Sequence, residues 1–152
     1  MNSFISYRIN EKNKRRSVVL DEFRTSVRDP VRETLQGLND ICGQVKIVAK
    51  NSPTGTELRA RLGPINKELV SKLGEISDAL ADANQSTFAN GKDWLDGFSD
   101  AEDEILALFD KALNVSRTED EMRDAVAFIP VSIRRLRSKI LTRIEAEVKR
   151  LS

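Results

Sequence analysis

Residues 119–148 read EDEMRDAVAFIPVSIRRLRSKILTRIEAEV, and the fold class turns on this stretch. Met122, Val126, Ile129, Ile133, Leu136 and Ile140 recur alternately four and three apart, the heptad spacing that keeps one helix face against a neighbouring helix. Beyond Ile140 the steps become four, to Ile144 and Val148, a stutter that locally relaxes a supercoil. Ser116 and Glu119 have capping-box spacing, and Glu119, Asp120 and Glu121 suit the positive end of a helix dipole, so the helix is predicted to start at 116–118. Pro130 lies inside the run and is expected to bend it.

Upstream, the same three-and-four periodicity recurs in longer and shorter pieces. From Ser17, Leu20, Phe23, Val27, Val31, Leu35, Leu38, Ile41, Val45 and Val48 make one face of a long helix. The apolar phase carries through Asp29-Pro30, which predicts a kink there and not a stop. The turn-formers of Asn51-Ser52-Pro53-Thr54-Gly55 end that helix. A second helix from about Thr56 buries Leu58, Leu62, Ile65, Leu69, Leu73, Ile76 and Leu80, with Gly63-Pro64 expected to break its early part. Residues 89–99 read as a connection carrying Trp94 and Phe98, and Ser99 with Glu102 offers a capping box for a third helix, Asp100 to about Asn114. Ile105, Leu106, Phe109 and Leu113 would face inward.

These four segments predict an all-α protein, a kinked, mostly antiparallel four-helix bundle-like domain over residues 17–152 with a coiled-coil-like C-terminal helix. Residues 1–16 have no apolar periodicity and are expected to be a basic, flexible, solvated arm. Within it, Phe4-Ile5-Ser6-Tyr7-Arg8 resembles the opening strand of a TIR domain. The resemblance implies alternating strands and helices downstream, whereas the sequence that follows is helical throughout, so neither that fold nor its activity is expected.

Composition narrows the chemistry. In 152 residues there are 7 Gly, 4 Pro and 8 aromatics (6 Phe, 1 Trp, 1 Tyr), too few turn-formers and aromatics for an ordinary β-sandwich or barrel. With no His and a single Cys, the commonest general base and metal ligand are missing. Carboxylate pairs at helical spacing, Asp78 with Asp82 or Glu68 with Glu75, lack the Glu-x-x-His partners of di-metal bundles. Around Gly97 an EF-hand register would put Lys92 at the first ligand position, which excludes it. There is no Gly-x-x-x-x-Gly-Lys phosphate loop and no Gly-x-Ser-x-Gly elbow. Cys42 borders the first helix's apolar face and reads as an inert core thiol. The expectation is therefore no enzyme, with no catalytic residue, metal or cofactor. No apolar run is long enough to span a bilayer, and a cytoplasmic location is the simplest expectation.

The formal net charge of +1 is a cancellation. Residues 1–28 carry seven basic and three acidic groups, residues 93–124 three basic and eleven acidic, and residues 131–152 seven basic and two acidic. Along the last helix Arg135, Lys139, Arg143 and Arg150 fall within roughly 80° of one another and form a basic ridge beside the apolar stripe. The ridge has two uses: pairing with the acidic 93–124 region, in this chain or a partner, or tracking phosphates together with Lys12, Lys14, Arg15 and Arg16 of the arm. Trp94 and Phe98 either cap an open bundle end or project as an anchor for another protein.

The leading expectation is a non-enzymatic helical subunit or adaptor, acting through protein association at Trp94, Phe98, Arg135, Lys139 and Arg143. The alternative is a nucleic-acid-binding accessory subunit using Lys12, Lys14, Arg15, Arg16, Arg135, Lys139, Arg143 and Arg150. In size and class, though in no motif, such a chain resembles the small helical subunits of CRISPR effector complexes. Helices of about 33 residues reach ~50 Å while the third reaches only ~22 Å. That mismatch predicts a protein partner or a homo-oligomer. Membrane attachment is not expected, and no small-molecule substrate is evident.

Overall fold

A computed structural model describes residues 2–85 and 93–152, with side chains from Arg8 onward. Among the described residues the chain forms four helical rods and no strand. The first is continuous: α1 (Asn2–Phe23), a π-helical turn (Arg24–Arg28) and α2 (Asp29–Asn51). The others are α3 (Gly55–Asn84), α4 (Phe98–Leu113) and α5 (Glu119–Leu151). Contacts run α2 to α3, α3 to α4, α4 to α5 and α5 back to α2, which closes an up-down-up-down bundle.

The kink expected at Asp29-Pro30 takes the form of that π turn. Phe23, Val27, Val31 and Leu35 step by four, and each such step overshoots a full α turn by about 40°. One wider turn absorbs the drift, so that all four side chains stay in the core. Gly63-Pro64, in contrast to the expectation, breaks nothing: Pro64 lies inside an unbroken α3 and is solvent-exposed, so water can satisfy the carbonyl that its missing N–H leaves free. Pro130 is likewise inside α5, buried, with its carbonyl facing Cys42 Sγ of α2 (3.9 Å).

Caps are set differently from the expected registers. Thr54 caps α3 by accepting from Glu57 N (3.2 Å). Thr118, not Ser116, caps α5, accepting from Glu121 N (3.2 Å) while its hydroxyl meets the Glu121 carboxylate (3.2 Å). The box at Ser99 and Glu102 does not form. α4 instead starts one turn's fraction earlier, behind Gly97 in the left-handed region (φ 76°) with no side-chain cap. An L-residue there is strained, so Gly97→Ala should cost about 1–2 kcal/mol in a denaturant titration, and Gly97→Asn less. Equal cost for both would contradict the strain.

The backbone of residues 2–16 is helix, and the side chains from Arg8 to Val18 are exposed. Lys, Arg and Glu are good helix formers, and a nucleated helix propagates through them without tertiary contacts. The end of α1 packs against α5, so the long rods are partly covered from within the chain where short α4 does not reach.

Candidate functional site

The α3–α4 connection is tied down at its described end. Asn84 donates through Nδ2 to Asp93 Oδ1 (2.9 Å) and accepts from Trp94 N (2.7 Å). Asp93 Oδ1 also accepts from Leu95 N (3.0 Å), an Asx turn that aims the indole inward. Trp94 is 3% and Phe98 4% exposed, and the Trp94 ring lies 5.6 Å from that of Phe23. Of the two roles expected for this pair, the structure has the cap: neither ring is available as a surface anchor. The space beneath, between Leu80, Trp94, Phe98, Leu136 and Ile140, is about 20 Å³, room for one water and not for a ligand. Residues 86–92 of the connection lie outside the described residues.

The basic ridge is largely spent on this cap and on α4. Arg143 donates to the backbone carbonyls of Asp93 (2.7 Å), Asp96 (3.0 Å) and Trp94 (3.4 Å), and its guanidinium sits 5.4 Å from the Trp94 ring centre. Arg135 pairs with Glu104 (3.9 Å), whose carboxylate also accepts from Ser132 Oγ (3.1 Å). Arg150 pairs with the fully buried Glu147, a contact that raises the arginine's pKa further. Lys139 lies beside the cap at Gly97. Three of the four ridge residues thus act within the chain: Arg135 meets an acid of the 93–124 region, Arg143 meets backbone carbonyls of that region, and Arg150 pairs with an acid of α5 itself. Of the arm, Arg15 reaches Glu11 (4.0 Å), while Lys12, Lys14 and Arg16 are exposed with no carboxylate in reach among the described residues.

A different basic group stays unpaired. Between the C-terminal half of α2 and the N-terminal half of α5, an open groove of about 360 Å³ is floored by Val45, Ala49, Leu58, Val126, Pro130 and Val131. The small side chains of Ala49 and Ala127 along it leave space that larger ones would fill. Lys46 rises from α2 and Arg134 from α5, both exposed, and neither has a carboxylate within ion-pairing distance among the described residues. Arg137 stands near, its Nε buried without a partner. The third cation at the rim, Arg123, is occupied: it bridges Glu119 (3.0 Å) and the Ser52 carbonyl (2.9 Å), holding the α2–α3 turn with Arg61, which donates to Asn51 O (2.9 Å).

Sequence reading missed the groove by one residue. Arg134 and Arg135 are adjacent, and which of them meets an acid depends on where α4 docks, which no spacing within α5 reveals. The Cys42 thiol is buried and donates weakly to Pro130 O (3.9 Å). Burial pushes its pKa up, against the lowering pull of Arg134, Lys46 and Arg137. A raised folded-state value means that the thiol's stabilising contribution is intact below its ordinary pKa and is lost as pH rises through the raised one. Stability of the native chain should therefore fall more steeply in alkali than that of Cys42→Ala, and Ellman's reagent should label the thiol only after denaturation. Rapid labelling of the folded chain would contradict its burial.

Among the described residues no group of three Cys, Asp or Glu side chains could hold a metal ion, and no helix is long and apolar enough to cross a membrane. No family model, curated protein or solved structure matches this chain.

Proposed function

We propose that the chain is a non-enzymatic helical subunit or adaptor whose work is protein association, with the α2–α5 groove as its docking surface. One observation carries the reading: an open groove is flanked by Lys46 and Arg134, neither with a carboxylate within ion-pairing distance among the described residues. Cations beside apolar surface gain from an incoming carboxylate, and a groove between two helices accepts a third segment without rearranging the core. The test is photo-crosslinking in the native host from benzoylphenylalanine at Val131, in the groove, against Val70, exposed on α3. A discrete protein adduct from Val131 alone is expected; adducts that do not distinguish the two positions would remove the groove from consideration.

Nucleic-acid contact by an accessory subunit is the second reading, and the exposed Lys12, Lys14 and Arg16 on α1 favour it. Its signature is oligonucleotide binding that weakens with salt and is lost when those three residues become Gln. On the docking reading, the same substitutions leave the Val131 adduct intact.

A further inference from the structure

We infer that the occupant of the α2–α5 groove is an acidic amphipathic helix of a partner protein; this rests on the docking reading and names its chemistry. The groove is underlain by the buried Val45 of α2, Leu58 of α3 and Val126 and Pro130 of α5, and the apolar surface it opens to a partner is that of Ala49, Ala127 and Val131. A helix laid between the two walls would set its apolar stripe on Ala49, Ala127 and Val131. The flanks select charge: Lys46 stands on one wall and Arg134 on the other. An incoming helix with carboxylates on both sides of its apolar stripe meets a cation on each wall.

A second copy docked face to face fits poorly. A two-fold axis through the groove brings Lys46 and Arg134 against their own counterparts, and like charges at an interface are repulsive. Nor does this chain supply a suitable acidic helix from its own surface. α4 carries Asp100, Asp103, Glu104 and Asp110, but its apolar residues Phe98, Ile105, Phe109 and Ala112 are already buried in the bundle. A small amphiphilic anion shares the chemistry but has no use for a groove open to solvent between two walls, where much of its alkyl chain would stay wet.

The probe is a synthetic amphipathic peptide with leucines at i, i+4, i+7 and i+11 and glutamates on both flanks, compared with the same peptide carrying lysines. Backbone and methyl NMR shifts of the full chain report where each binds. The acidic peptide is expected to move Val45, Lys46, Val131 and Arg134, to bind more weakly as salt rises, and to lose roughly tenfold or more in affinity to K46E/R134E. That double variant, whose substitutions are on exposed side chains, is expected to keep the native circular dichroism and to gain affinity for the lysine peptide. Equal binding of both peptides, shifts elsewhere, no binding, or saturation by dodecanoate in place of the acidic peptide would overturn the inference. A Val131 adduct to a protein segment that is not acidic would overturn it while leaving the docking reading in place.

Discussion

Trp94→Ala is expected to lower the melting temperature by roughly 6–20 °C, because removing a buried large aromatic costs about 3–5 kcal/mol and each kcal/mol is worth about 2–4 °C at this chain length. The indole closes the end of the bundle on Phe23, and its loss also leaves the Arg143 guanidinium without the ring it covers. The two effects are separable. Arg143→Ala in the native background removes the three carbonyl contacts and the ring contact, whereas in the Trp94→Ala background the ring contact is already gone. A double-mutant cycle should return a coupling of about 0.5–2 kcal/mol. Trp94→Phe should recover most of the stability, because the indole Nε1 is buried without a hydrogen-bond partner and a phenyl ring leaves no such donor behind. A melting point unchanged by Trp94→Ala would mean that the ring is not a cap.

Phe109→Ala should be comparably severe, at about 3–5 kcal/mol, and different in kind. α4 has 16 residues against 33 for α5, and a helix of that length is marginal alone. It is held by Phe98, Ile105, Phe109 and Ala112 on its buried side, and by the Glu104 contacts to Ser132 and Arg135. Phe109, fully buried, is the largest of these attachments in its C-terminal half. Hydrogen exchange should therefore show amides 98–113 losing protection before α2, α3 and α5 do. Uniform loss of protection across all four rods would show that α4 is not a separately opening element.

The helices were legible in the sequence because their apolar spacing is dictated by a buried face that each carries for itself. Met122, Val126, Ile129, Ile133, Leu136, Ile140 and Ile144 are all buried, as are Leu58 through Leu80 at their expected steps. What spacing could not give was anything decided by the approach of a second element. The α4 boundary moved to Gly97 because the turn between Asp93 and Gly97 is anchored by Asn84 and Arg143 from other helices. Thr118 and Glu121 have the same capping-box spacing as Ser116 and Glu119, so spacing alone did not choose between the two registers, and the helix begins at the second. Pro64 kept its helix intact because it faces water, which a proline's identity alone does not disclose. The candidate site was legible only as an excess of basic residues on α5. Arg150 pairs within α5 itself, but the division between Arg135 and Arg143, which have partners, and Arg134, which has none among the described residues, follows from the positions of α4 and of the turn before it.

Association at the groove between α2 and α5, and not along the ridge of α5, is tested most directly by paired charge reversal during purification from the native host. Lys46→Glu/Arg134→Glu and Arg135→Glu/Lys139→Glu remove the same number of positive charges from neighbouring faces of the bundle, so bulk electrostatics cancel in the comparison. The account predicts that a co-purifying protein is lost with the first pair and retained with the second. Retention with the first pair and loss with the second would contradict it.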